Sequence, residues 1–154
     1  MKNKIVLALS ILALSLAANN WKQINVYAQE EGRKEEYSYL LNDEAIIGRT
    51  EVNQTGVYLM DGMSVIQDAG TGKIVAGGIT NAARQCDVTV NVIVERLNGE
   101  SWARVTSWTA SKDYAWTVGS SKTLSVGRGY YYRVRCLHFA NSDTSSSWTG
   151  NLWR

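Results

Sequence analysis

The sequence predicts an all-β fold, an antiparallel β-sandwich closed by one disulfide, and three observations point to it. The first is alternation. Counting in twos from Cys86 gives Val88, Val90, Val92 and Val94, and counting back in twos from Cys136 gives Val134, Tyr132 and Tyr130. Side chains alternate faces along a strand, so each cysteine shares the apolar face of its own strand. The second is Asn98-Gly99, set between the strand-like runs Asp87 to Leu97 and Glu100 to Trp108. Asn-Gly is the strongest short hairpin signal because both residues tolerate positive φ. The third is punctuation: the 154 residues contain no proline, where average usage near 5% would give about eight, so turns rest on Gly, Asn, Asp and Ser.

At the N-terminus, Lys2 and Lys4 precede a run from Ile5 to Ala18 that is apolar apart from Ser10 and Ser15. The run is shorter than the ~20 apolar residues of a spanning helix and reads as a signal peptide, with an uncleaved anchor as the alternative. Ser15-Leu16-Ala17 and Val26-Tyr27-Ala28 both fit the small-x-small cleavage rule; the second is preferred because Gln29 opens an acidic segment. Residues 1–28 are thus expected to leave a secreted, extracellular protein with no membrane span after cleavage.

Cleavage changes the charge. Of 16 Lys+Arg and 14 Asp+Glu, residues 1–28 hold Lys2, Lys4 and Lys22 and no acid, which leaves 13 basic and 14 acidic side chains, a net charge of −1. A near-neutral chain offers no general electrostatic attraction to nucleic acid or anionic membranes.

Export also permits disulfides. Two inward-facing cysteines allow one intramolecular pairing, Cys86 to Cys136, against the alternative of two free buried thiols. In the chain-entropy model a loop of about 50 residues contributes ~4 kcal/mol.

Residues 29–55 read as an acidic, weakly ordered arm. Glu30, Glu31, Glu35 and Glu36 crowd its start, and Tyr37, Leu40 and Leu41 have helical spacing over a run too short for an isolated helix. Asn53-Gln54-Thr55 matches a glycosylation sequon.

Residues 56–154 form the expected β-sandwich domain. Val57 to Met60, Met63 to Gln67 and Lys73 to Ala76 are short apolar runs, and Gly77-Gly78 breaks or bulges the third. A two-residue loop at Asn98-Gly99 sets Leu97 against Glu100 and Glu95 against Trp102. Ile93, Glu95, Trp102, Arg104 and Trp108 then share one face, and Val90, Val92 and Val94 share the other with Ala103, Val105 and Ser107; a bulged turn shifts this register. Tyr114 to Val118 and Lys122 to Val126 read as strands around a Gly-Ser-Ser turn, Tyr130 to Phe139 as the most aromatic strand, and Trp148 to Trp153 as the closing segment. The 99 residues of 56–154 match the size of an immunoglobulin-like sandwich.

Two resemblances follow. The hairpin with Ser101-Trp102-Ala103-Arg104-Val105, then Tyr130-Tyr131-Tyr132-Arg133-Val134-Arg135 and Ser145-Ser146-Ser147-Trp148, is similar to the later strands of fibronectin type III domains over residues 86–150. It departs from that family in having no proline and two cysteines. Val94-Glu95-Arg96-Leu97, Ser101-Trp102, Trp108, Ser121-Lys122-Thr123, Gly129 to Arg135, His138 and Ser145 to Ser147 resemble small secreted proteins of Gram-positive, clostridia-type bacteria, a domain family of unknown function covering most of 70–154. That resemblance implies secretion and a β fold, and brings no catalytic residues.

Several chemistries fail on residue type. His138 is the only histidine and shares the parity of Cys136, as a packed side chain does, and no Gly-x-Ser-x-Gly elbow accompanies it. One histidine and two cysteines do not make a standard zinc site, and no cofactor is expected. Gly70 to Lys73 lacks the earlier glycine of a phosphate loop. Arg128-Gly129-Tyr130-Tyr131-Tyr132 departs from the RNA-recognition strand at Tyr131 and Arg133. Glu95, Glu100, Asp87 and Asp113 could supply a glycosidase pair, but nothing pairs them, and solvated surface acids are the default.

The aromatic residues remain. Trp102, Trp108, Trp116, Trp148, Trp153 and Tyr131 are too many for one inner face. Exposed, they suit stacking on sugars or anchoring a protein partner; paired across strands, they stiffen the sheet. The expected binding residues are Tyr131, Arg133, Arg135, Trp102 and Trp108. The expected function is a secreted, non-enzymatic binding module for an extracellular glycan or protein. The alternative is a secreted antimicrobial or effector-like protein with a removable acidic pro-segment, and a hydrolase is third.

Overall fold

The computed structural model describes residues 37–51 and 56–154; the signal segment 1–28, residues 29–36 and the sequon residues 53–55 lie outside that range. A 3-10 turn, Ser38–Leu40, precedes β1 (Ile46–Arg49), β2 (Leu59–Asp68), β3 (Lys73–Asn98), β4 (Ser101–Ser125), β5 (Tyr131–Ala140), β6 (Asp143–Trp148) and β7 (Leu152–Trp153). All pairings are antiparallel, and the strands join in one sheet that nearly closes like a barrel.

One long ribbon organises the sheet. β3 and β4 span 26 and 25 residues, well beyond the roughly 3–10 of an ordinary strand. The first half of β3 pairs with β2, from Ile74↔Asp68 to Ala82↔Leu59; the second pairs with β5, from Val88↔Ala140 to Arg96↔Tyr132. β4 follows β3 along its whole length. Register shifts between Asn81 and Val88 kink the ribbon, and Tyr114 opposite takes φ 49°. Extra residues on one strand bend it and raise its twist, so the two halves close face to face. The Nδ1 of His138 on β5 meets Thr80 on β3, and the Cys136 thiol meets the Gly77 carbonyl.

Two expected breaks are continuous strand. Gly77-Gly78 lies inside β3, and Gly119-Ser120-Ser121 lies inside β4, where Ile79 pairs with Gly119 and Gly78 with Ser120. Both glycine sites are points of close approach. A Cβ on Gly78 would stand 2.5 Å from Cys136 Sγ, and one on Gly119 would stand 2.6 Å from Cδ1 of Tyr37.

The alternation in β3 and β5 builds the interior. Val88, Val90, Val92 and Val94 pack with Tyr132, Val134, Cys136, Ile66, Ile74 and Ala76. A second cluster joins Met63, Val65 and Ile79, on the other face of β2 and β3, to Tyr37 and Leu40. Residues 37–51 therefore belong to the sheet domain rather than to a loose arm. β1 pairs with β2 from Ile46↔Ile66 to Arg49↔Met63, and Leu40 is 2% exposed. Full burial of one such side chain is worth ~1.5–3 kcal/mol. The helical spacing of Tyr37 and Leu40 resolves as one 3-10 turn that points both inward.

The expected Cys86–Cys136 disulfide is corrected. Both thiols are free and buried. Cys136 pairs with Val92, and Cys86 lies six residues back along β3. At ~3.3 Å per residue that is about 20 Å, against the ~4.4–6.8 Å between Cα atoms that a bridge needs. Parity placed both side chains inside, but it says nothing about their height along the strands.

Candidate functional site: an aromatic and arginine face

The outer face of the second half is built by five strands. β3 supplies Ile93, Glu95 and Leu97; β5 supplies Arg135, Arg133 and Tyr131. Across the sheet, Ser107, Arg104 and Trp102 of β4 stand opposite Ile93, Glu95 and Leu97. On the far edge, Trp148 of β6 pairs with Arg135 and Trp153 of β7 with Tyr131. One row thus reads Ser107, Ile93, Arg135, Trp148, and nearer the hairpin end Leu97 pairs with Trp102 and Tyr131 with Trp153.

The hairpin turn sets part of this arrangement. Asn98 pairs with Ser101, so the loop is Gly99-Glu100 rather than Asn98-Gly99. Gly99 takes φ 59° at the first central position while Glu100 has no positive φ, the pattern of a type II′ turn. Leu97 therefore faces Trp102. Farther along, Glu95 pairs with Arg104 but Val94 with Thr106, which leaves Val105 as a bulge.

That bulge corrects one of the expected binding residues. Past Val105 the parity of β4 inverts, and Trp108 pairs with Val92 on the inner side. It packs against the core cluster, donates from Nε1 to Ser120 at 3.0 Å, and carries Lys122 4.9 Å above its ring. Tyr131, Arg133, Arg135 and Trp102 share the outer face as expected.

Glu95 ties this face together. Although it lies on the outer side, it is only 6% exposed. Its Oε2 accepts from Arg133 Nε at 2.7 Å and its Oε1 from Arg135 Nε at 3.2 Å. The Arg133 guanidinium also lies 4.3 Å from the centroid of Trp102. One carboxylate thus orients two guanidinium groups, one of them stacked on an indole.

Aromatic surface surrounds this centre. Tyr131 is 43% exposed, Trp148 53% and Trp153 56%. Tyr131 and Trp153 meet edge to face, with centroids 4.8 Å apart at 62°. Beside Trp153, a shallow cleft is lined by Arg128, Gly70, Gly72 and Arg154, and Arg154 is held by Asp68 and the Gly70 carbonyl. Trp148, Trp153 and Glu95 were not among the expected site residues. The alternation of Trp148 with Ser146 was a usable signal for the first; Trp153 depends on the short pairing of β7 with β5.

His138 lies on the other side of β5, fully buried. The Thr80 hydroxyl donates to the Thr89 carbonyl at 3.0 Å and so accepts from Nδ1–H at 2.8 Å. Nε2 then accepts from the Ser147 hydroxyl, also at 2.8 Å. Burial lowers the imidazole pKa to about 4 and pushes the Cys136 thiol up. Ser147 is sealed from solvent beside this ring, and a hydroxyl rather than a carboxylate orients the imidazole. The arrangement is a neutral hydrogen-bonded strut between β3, β5 and β6. Among the described residues, no group of three His, Cys, Asp or Glu side chains could hold a metal ion, and no helix is long and apolar enough to cross a membrane.

No family model matches the chain, and no curated protein matches it. It is similar in structure to R. palustris CsgH, solved in solution, at 14% identity and a TM-score of 0.38 over 55% of this chain and 86% of that one. At that level the likeness carries no functional argument.

Proposed function

We propose that this protein is a secreted, non-enzymatic binding module whose partner, an extracellular glycan or a protein, docks on the outer face of β4, β3, β5, β6 and β7. The observation that carries this reading is the concentration of exposed Tyr131, Trp148 and Trp153 around the Arg133–Glu95–Arg135 cluster. Solvent-exposed rings cost hydration unless a partner covers them, and Trp, Tyr and Arg are the residues that most often anchor an interface. The secretion part rests on Lys2, Lys4, the apolar run Ile5 to Ala18 and the Val26-Tyr27-Ala28 site.

We also read the two halves of the kinked ribbon as the layers of an immunoglobulin-like sandwich that share β3 and β4. Contacts between the halves, such as His138 with Thr80, support that reading.

The test is a binding screen of residues 29–154 against glycans, isolated cell walls and extracellular protein fractions. A partner whose binding is lost on replacing Trp148 or Tyr131 by Ala, with the thermal midpoint retained, supports the assignment. Binding that survives both substitutions points away from this face.

A further inference from the structure

The geometry points to an anionic glycan as the ligand: a chain of sugar rings bearing carboxylate or phosphate groups, held at its charge by Arg133 and Arg135 and at its rings by the exposed Tyr131 and Trp148. This rests on the binding-face reading above and adds the chemistry of the ligand. Both arginines use Nε for Glu95. Among the described residues, no hydrogen bond engages the Nη atoms of either one. Each guanidinium is therefore fixed at its base and presents its outer N–H groups. A planar fork of that kind matches a carboxylate or phosphate in two-point contact. The two forks stand two residues apart on one face of β5, roughly 6–7 Å along the strand, a spacing that one bulky anion or two neighbouring ones can span.

Charge favours the same ligand. Arg104 is exposed on β4 opposite Glu95. Arg104, Arg133 and Arg135 thus face a single acid, an excess of two positive charges on a protein whose expected mature charge is −1. The excess is local, at the place where the aromatic rings are exposed. A neutral sugar would use the rings and leave the forks hydrated; a free anion would use the forks and leave the rings bare. An acidic glycan uses both.

Glu95 is the positioning residue. Glu95→Gln raises the net charge by one, so charge alone would tighten an anion's binding. Orientation predicts the opposite, because the amide's NH2 replaces one of the two accepting oxygens and turns a donor towards one guanidinium.

The experiment uses pairs of polymers with one backbone: polygalacturonate against its fully methyl-esterified form, and a phosphomannan against its dephosphorylated form as the phosphate arm, each titrated calorimetrically into the protein. One polyanion should bind, and the arm that succeeds identifies the acid as carboxylate or phosphate. Arg133→Ala and Arg135→Ala should each weaken it by about tenfold to a hundredfold, the loss of a charge-assisted pair. Arg135→Lys should fail to restore it, and Glu95→Gln should weaken it, each titrated well below that variant's own thermal midpoint, since taking a partner from the buried Glu95 carboxylate lowers stability too. Equal binding of the esterified polymer overturns the anionic inference and leaves the face reading standing. Polyanion binding unchanged by the arginine substitutions also overturns it, as does tighter binding by Glu95→Gln, which removes the clamp. Failure of neutral and acidic glycans alike, with a protein partner bound on the same aromatics, overturns the inference while the face survives.

Discussion

The imidazole of His138 and the hydroxyl of Thr80 meet at 2.8 Å, and this contact joins β5 to the first half of β3 through the interior of the sheet. Because Thr80 donates onward to Thr89, Nδ1 carries the ring proton and Nε2 accepts from Ser147, an arrangement that suits a neutral imidazole. An added proton on Nε2 would turn an acceptor into a donor, and would place a charge in a site where both His138 and Ser147 are buried.

The pH dependence of stability follows with a definite sign. Burial lowers the folded pKa of His138 from 6.5 to about 4, so the unfolded chain takes up the proton first. The contribution is complete above pH ~6.5 and is lost as pH falls towards 4, roughly 3 kcal/mol in all. Urea midpoints should fall between pH 7 and 4.5, above the range in which Asp68 and Asp143, both shifted down by backbone N–H donors, begin to titrate. A midpoint constant over that window would contradict the buried neutral ring.

Glycines beside that strut are expected to be intolerant of a side chain. A Cβ on Gly62 would lie 2.4 Å from His138 Cδ2, and one on Gly78 would lie 2.5 Å from Cys136 Sγ. Gly62→Ala and Gly78→Ala should each destabilise by about 1–3 kcal/mol, the cost of overpacking. Chemical denaturation of the two variants measures this, and wild-type midpoints would mean that the halves pack less closely.

Both cysteines should be free. Unreduced, denatured protein should take up two alkyl groups, and native protein should leave Cys136 unmodified, since it is buried and its thiol pKa is raised. A linked Cys86–Cys136 peptide pair in non-reducing mass spectrometry would contradict the register of β3 and β5.

The two tryptophans on opposite faces should behave differently. Trp108→Ala removes a ring packed on the core and bonded to Ser120, and should lower stability by about 1–3 kcal/mol. Trp148→Ala, on an exposed edge, should change it by no more than ~0.5 kcal/mol. Thermal melts of the two variants decide, and a larger loss for Trp148 would reverse the assignment of faces.

Strand content and inward parity were legible in the sequence because both depend on side chains two residues apart. The valines of β3 and the alternation of Tyr132, Val134 and Cys136 all face inward as read. Register was not legible. A single bulge at Val105 moved Trp108 from the expected outer face, and the height of Cys136 along β3 ruled out its bridge. Glycine at Gly78 and Gly119 resembles punctuation in the sequence, but in the fold its value is close approach by Cys136 and Tyr37. Among the candidate residues, Tyr131, Arg133 and Arg135 share a face by alternation, and Trp102 joins them through the hairpin. Glu95 resembled any surface acid, because its burial depends on two arginines of another strand.

The central claim is that the exposed rings around Arg133 and Arg135 form a binding surface. Its most direct measurement is the affinity of the Tyr131→Ala/Trp148→Ala double variant for the partner found in the screen, taken with its thermal midpoint. The account predicts binding weakened by about tenfold or more at a nearly native midpoint. Parental affinity in a folded double variant would contradict it.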